Sequence, residues 1–154
     1  MGSRIGQGTR MPKFWVGVAS KEHVENGVKW GICQFCHGKL APAKRLKKGD
    51  FVIYYSPRDS MESKAICQKF TSIGKVADDA PYLFDMGNGF TPYRRNIQYF
   101  EAKQVDIKPL VPILPFIKNK TSWGYVFRYG FLEIDEESFR IIAYEMLGMN
   151  SVVQ

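Results

Sequence analysis

Apolar residues fall in short runs along this chain, each bounded by Gly, Pro or a cluster of charge. Phe14-Trp15-Val16-Gly17-Val18-Ala19 has no polar member and reads as a buried first strand. Ser20 supplies an N-cap hydroxyl, and Lys21-Glu22-His23-Val24-Glu25-Asn26 reads as a short helix that Gly27 ends in a left-handed cap. Residues 30–40 read as a loop, after which Pro42 starts a brief helical turn to Leu46. Gly49-Asp50 is a turn into a second apolar strand, Phe51 to Tyr55, which Pro57 terminates.

Beyond it a strand is expected between Ile66 and Val76, with Gly74 as a bulge. Asp85-Met86-Gly87-Asn88-Gly89 is a loop by composition. Asn96 to Val105 and Gly124 to Ile134 read as strand-like companions. Between them Pro109, Pro112 and Pro115 break the chain into an irregular link. The last element is a helix capped by Asp135 and closed by Gly148. Its apolar stripe of Phe139, Ile142, Ala143, Met146 and Leu147 follows the 3.6-residue period. Strands outnumber helices without regular alternation, and no internal repeat is present. The expected class is α+β, built on a mixed, mainly antiparallel barrel-like sheet with short helices and a C-terminal helix.

The chain has 154 residues, enough for one domain with a real core. Residues 1–10 are polar and Gly-rich and are set aside as a loose tail, an upstream start or a cloning scar, leaving 11–150 as the domain. Net charge is +7, which favours phosphate-bearing partners without identifying them. No apolar run is long enough to signal export or membrane insertion. The three cysteines are therefore expected reduced, in a cytoplasmic protein. A monomer is expected.

Cys33-Gln34-Phe35-Cys36-His37 spells the Cys-x-x-Cys-His pattern, which four chemistries fit. Covalent haem would need an export route, which the sequence does not signal. Zinc would need four ligands; the loop supplies three, Cys67 or His23 would have to complete the set, and no second ligand pair follows. A redox dithiol would need a helix start after a strand, whereas Gly31 and Gly38 flank this one. The remaining reading is structural, with small side chains lining a loop over a pocket. A nucleophilic Cys33 or Cys36, with His23 or His37 as base, is a further alternative. No glycine-rich phosphate loop is present.

The 11 Phe, 8 Tyr and 3 Trp recur beside basic residues. Lys39, Lys44, Arg45, Lys47 and Lys48 precede an aromatic strand. Pro92-Tyr93-Arg94-Arg95 and Trp123-Gly124-Tyr125-Val126-Phe127-Arg128 repeat the combination. Each cluster reads either as a solvated face, with arginines packed on rings, or as part of a nucleic-acid surface.

Several of these blocks, in order, resemble the EVE domain family. They are Phe14-Trp15-Val16-x-Val18-Ala19-Ser20-x-x-His23-Val24, Gln34-x-Cys36-His37-Gly38-Lys39 and Lys48-Gly49-Asp50-x-x-x-Tyr54-Tyr55-Ser56-Pro57. Pro92-Tyr93-Arg94-Arg95 and Trp123-Gly124-x-x-Phe127-Arg128-x-Gly130 extend the match from Met11 to Leu147. The resemblance implies a PUA-like fold, a small mixed barrel related to YTH and ASCH domains. YTH domains read methylated adenine in RNA through an aromatic cage.

By that resemblance the chain binds a modified nucleobase in DNA or RNA and is not an enzyme; it carries no metal, haem or other cofactor. Residues implied at the base are Ser20, His23, Cys33, Gln34, His37, Tyr54, Phe84, Phe90 and Tyr93. Those implied at phosphates are Lys39, Lys44, Arg94, Arg95 and Arg128. Cys33 falls where YTH domains carry a tryptophan, which departs from a full aromatic cage and implies a base other than methyladenine, such as a modified cytosine. A small-molecule sensor, or a Cys/His-dependent enzyme acting in the same pocket, is the alternative.

Overall fold

Strand β1 (Phe14–Val18) pairs in parallel with β3 (Phe51–Arg58), Phe14 opposite Phe51 and Val18 opposite Tyr55, and this pairing organises the molecule. Parallel neighbours require a crossover. The crossover holds α1 (Lys21–Trp30), the short β2 (Ile32–Cys33), a turn at Cys36–Gly38 and α2 (Leu40–Arg45). All other pairings are antiparallel. β4 (Ile66–Val76) lies beside β3, β6 (Tyr93–Tyr99) beside β4, and β8 (Phe131–Ile134) beside β1. β2 extends the sheet beyond β6, while β5 (Tyr82–Leu83) pairs β6 and β7 (Val105–Asp106) pairs β4. The result is a curled mixed sheet, a half-barrel closed at one side by α3 (Glu136–Leu147). The computed structural model describes residues 10–148, so the expected tail at 1–9 and the domain end at 149–150 lie outside the described residues.

Unbroken apolar strands make sense once both faces are covered. Phe14, Val16, Phe51, Ile53 and Tyr55 point into a core with Phe139, Ile142 and Met146 of α3. Trp15, Val52 and Tyr54 point the other way, into a second core with Val24 of α1, Cys33, Phe35 and Leu46. The second core carries the candidate site on its α1 side. Asp50, 1% exposed, ties its edge together. It accepts from the Trp15 indole at 3.0 Å and from the backbone N–H groups of Lys13 and Lys47. Arg10 pairs with it at 2.8 Å.

Five local expectations shift, the first being the strand read from Asn96 to Val105, which is instead β6 (Tyr93–Tyr99) and, after a break, the short β7 (Val105–Asp106). Helix α1 does not stop at Gly27 but runs to Trp30 and is capped by Gly31 in the left-handed region. The bulge between β3 and β4 falls at Thr71, not Gly74, and Thr71 and Ser56 share a hydrogen bond of 2.8 Å there. β3 continues through Pro57 to Arg58 across a second register break. The segment from Gly124 is a 3₁₀ turn, Trp123–Phe127, before β8 starts at Phe131. No helix among the described residues is long and apolar enough to cross a membrane.

Candidate nucleobase pocket

Phe35 fixes the loop that builds the site. Its ring stacks on Tyr54 (centroids 5.4 Å apart) and packs tilted against Phe131 (4.6 Å), lying directly over Gly17. A Cβ at position 17 would come within 2.3 Å of that ring, so only glycine lets the loop reach the sheet. The loop then turns sharply. Cys36 (φ 51°) and His37 (φ 64°), with Gly38 (φ 80°), make three successive left-handed residues, a strained arrangement for non-glycine side chains. It is held by the Gly38 and Lys39 N–H groups donating to the Phe35 carbonyl and by the Cys36 thiol donating to the Tyr129 carbonyl at 3.5 Å. A Cβ on Gly38 would lie 2.1 Å from Pro92 Cβ, so this turn abuts the start of β6 directly.

Between this loop and α1 lies an inner cavity of about 130 Å³. His23, Asn26, Gly27 and Trp30 line it from α1, an i, i+3, i+4, i+7 face. Cys33 and Tyr54 line it from the sheet, Gln34 from the loop just after β2, and Met86 reaches in from the segment after β5. An outer cavity of about 440 Å³ adjoins it, sharing Trp30 and Met86 and adding Phe84, Asp85 and Arg94. The Tyr54 hydroxyl donates to the Gln34 carbonyl at 3.1 Å and locks the loop from below.

The Gln34 side chain has a defined orientation. Arg94 Nε donates to its Oε1 at 2.9 Å, and a guanidinium can only donate. The amide oxygen must face Arg94, leaving the NH₂ group as the donor Gln34 offers a ligand. The Phe84 ring covers the Arg94 guanidinium at 3.9 Å. Burial lowers the His23 pKa below its usual 6.5; the Gln34 carbonyl opposes this and His37 adds to the lowering. The imidazole is therefore neutral at pH 7. Burial pushes the Cys33 thiol far up, with Arg95 opposing, so it stays protonated and is a poor nucleophile. Among the described residues no three His, Cys, Asp or Glu side chains are grouped to hold a metal.

The structure thus brings His23, Cys33, Gln34 and Tyr54 to the inner cavity, and Phe84 with Arg94 to the outer one. Tyr54 is 2% exposed and serves as a wall rather than a free ring. Ser20 caps α1 by accepting from the His23 N–H. His37 is exposed, Phe90 lies in the connection from β5 to β6 and Tyr93 starts β6, and neither ring is on a cavity wall. Lys39, Lys44 and Arg128 are exposed, and Arg128 sits over the rings of Tyr125 (3.5 Å) and Tyr129 (4.2 Å).

Arg95 corrects the sequence reading. It is wholly buried and donates to Asp78 Oδ1 at 2.7 Å, to the Asp78 carbonyl, and to the carbonyls of Ala43 and Leu46 that end α2. Four of its five N–H donors are taken within the protein and the side chain has no exposed surface, so a phosphate cannot reach it. Trp30, Asn26 and Met86 were not singled out from the sequence. Ending the helix at Gly27 hid the periodicity that aligns Trp30 with His23.

Comparisons with known proteins agree with this architecture. The model of the EVE domain matches residues 13–145. The UPF0310 protein in the gntR 5′ region of Bacillus licheniformis is 46% identical over 128 residues, covering 83% of this chain and 87% of that protein. A UPF0310 protein of Mesorhizobium japonicum is 44% identical over 138 residues, covering 88% and 93%. Among solved structures, a Rhodopseudomonas palustris protein superposes with TM-score 0.53 at 14% identity, covering 86% of this chain and 92% of that one. The YTH domain of the Zygosaccharomyces rouxii MRB1 protein, solved in complex with N6-methyladenosine RNA, superposes with TM-score 0.50 at 15% identity, covering 85% and 84%. The fold is PUA-like α+β, and the chain belongs to the EVE domain family.

Proposed function

We propose that this protein is a non-enzymatic reader of a modified base in DNA or RNA, taking the base into the inner cavity. The observation that carries the reading is the Gln34 amide, pinned by Arg94 with its NH₂ group free, in a cavity walled by Trp30. A flat, neutral ligand with an acceptor on its edge suits that wall: the amide donates, Trp30 offers a face, and His23 is uncharged. A relative in fold, the YTH domain, is solved with N6-methyladenosine RNA, which supports the class of ligand but not its identity. Lys39, Lys44 and Arg128, all exposed, supply sequence-independent attraction to the strand. The walls of the inner cavity carry no carboxylate, and its thiol is held protonated, which favours binding over turnover.

The test is a titration of modified and plain oligonucleotides of one sequence, DNA and RNA, with analysis of the recovered nucleosides. Saturable preference for one modification with unchanged nucleosides is the expected result. Equal affinity across a broad panel, or a product whose formation needs Cys36 or His37, overturns it.

A further inference from the structure

Arg94 and Arg95 are consecutive, both buried, and treated in opposite ways. Arg95 has a carboxylate partner and three carbonyls. Arg94 is 5% exposed and has no carboxylate within ion-pair distance among the described residues. Its Nε is engaged by Gln34 and one face is covered by Phe84. Its terminal amino groups donate to no protein acceptor in the described hydrogen bonds, and the residue lines the outer cavity. The terminal amino groups keep contact with the solvent of that cavity, and an oxyanion entering it replaces water with a charge-assisted contact to a guanidinium that has no counter-ion. Asp85, on the same cavity, is exposed and accepts the Gly87 N–H at 2.8 Å instead of pairing with Arg94.

The geometry points to the outer cavity as an oxyanion subsite, in which Arg94 holds the phosphate of the nucleotide whose base enters the inner cavity. This deepens the base-reading function and rests on it. The shared walls, Trp30 and Met86, let one ligand span both cavities: base inside, sugar at the junction, phosphate at Arg94. The ligand is a nucleotide rather than a nucleoside, either free or within a strand. Through its Nε, Arg94 also sets the amide that meets the base edge, so phosphate and base contacts share one side chain.

The experiment uses the full chain, ¹⁵N-labelled, with cytidine, 5-methylcytidine, adenosine and N6-methyladenosine, each as the nucleoside, 5′-monophosphate, 3′-monophosphate and dinucleotide. A monophosphate should bind about tenfold or more tighter than its nucleoside, as one charge-assisted contact implies. The Arg94 Nε–H signal should shift with phosphate-bearing ligands. The nucleotide-to-nucleoside affinity ratio should collapse in Arg94→Met, partly survive in Arg94→Lys, and persist in Lys108→Ala, an exposed lysine that lines neither cavity. A dinucleotide that binds as tightly as the better monophosphate assigns the phosphate to a strand; weaker binding assigns it to a free nucleotide.

Equal affinity of nucleosides and both monophosphates, or a ratio that persists in Arg94→Met, overturns the subsite. If Arg94→Met does not fold, an Arg94 signal unmoved by the monophosphates overturns it in the wild type. If no nucleoside or nucleotide binds, inorganic phosphate is titrated, and an unmoved Arg94 signal has the same meaning. A phosphate effect at Arg94 without preference among the four bases supports the subsite and counts against base reading, so the two failures are distinguishable.

Discussion

Replacing Arg95 with Met separates a structural arginine from a phosphate ligand. Methionine keeps an unbranched chain of similar reach but removes every donor. Four acceptors then lose a partner: the Asp78 carboxylate, the Asp78 carbonyl, and the Ala43 and Leu46 carbonyls at the end of α2. Asp78 is partly open to water at 18% exposure and still accepts the Asn96 N–H, so its loss is softened. The two α2 carbonyls have no such relief. Removing one side of a buried ion pair costs about 3–5 kcal/mol, at least about a fifth of a stability of roughly 5–15 kcal/mol. With a urea slope of about 2 kcal/mol per molar, the unfolding midpoint should fall by roughly 1.5–2.5 M. The assay is a urea melt followed by Trp fluorescence, run beside a nucleic-acid titration at several salt concentrations. A midpoint within about 0.3 M of wild type, with a salt slope reduced by about one unit, would refute the assignment and restore Arg95 to the phosphates.

Trp30→Ala should leave stability within about 0.5 kcal/mol, because the residue is 53% exposed, yet weaken ligand binding by about 1–3 kcal/mol. Urea melts and titrations of one protein sample check both halves, and unchanged affinity refutes the stacking role. Gly38→Ala should destabilise by about 1–2 kcal/mol from the left-handed backbone alone, and more from the Pro92 clash, loosening the turn that carries Gln34. Thermal melts and amide exchange across residues 34–38 report it. His23 has a folded pKa below 6.5, so the unfolded chain takes up more protons as pH falls through that value. Stability should therefore decline between about pH 7 and the lowered pKa, and His23→Asn should flatten the decline in melts run across that range.

The sequence by itself determined the elements whose signals are local. Asp135, the stripe from Phe139 to Met146 and Gly148 specify α3 because a cap, a 3.6-residue period and a left-handed stop all lie within one segment. The apolar runs at Phe14 and Phe51 likewise specify buried strands, and the ordered blocks from Phe14 to Gly130 specify the family. Gln34 could be nominated, since its loop is compact in sequence.

Only the tertiary structure decided what depends on distant partners. Arg94 and Arg95 are adjacent in an alternating strand, and adjacent strand residues face opposite sides. One side meets Asp78 and the end of α2; the other meets Gln34 and Phe84. Nothing in Tyr93-Arg94-Arg95-Asn96 says which side holds which partner. Gly27 illustrates the same limit, because a glycine at that position permits a helix end but does not impose one. The helix continues because Gly27 abuts the Ile32 carbonyl, where a Cβ would come within 2.8 Å, and so α1 can pack tightly on β2. That extra turn carries Trp30 onto the cavity wall. The pocket is therefore a product of packing between segments far apart in the chain, and a residue-by-residue reading reaches its members without reaching their arrangement.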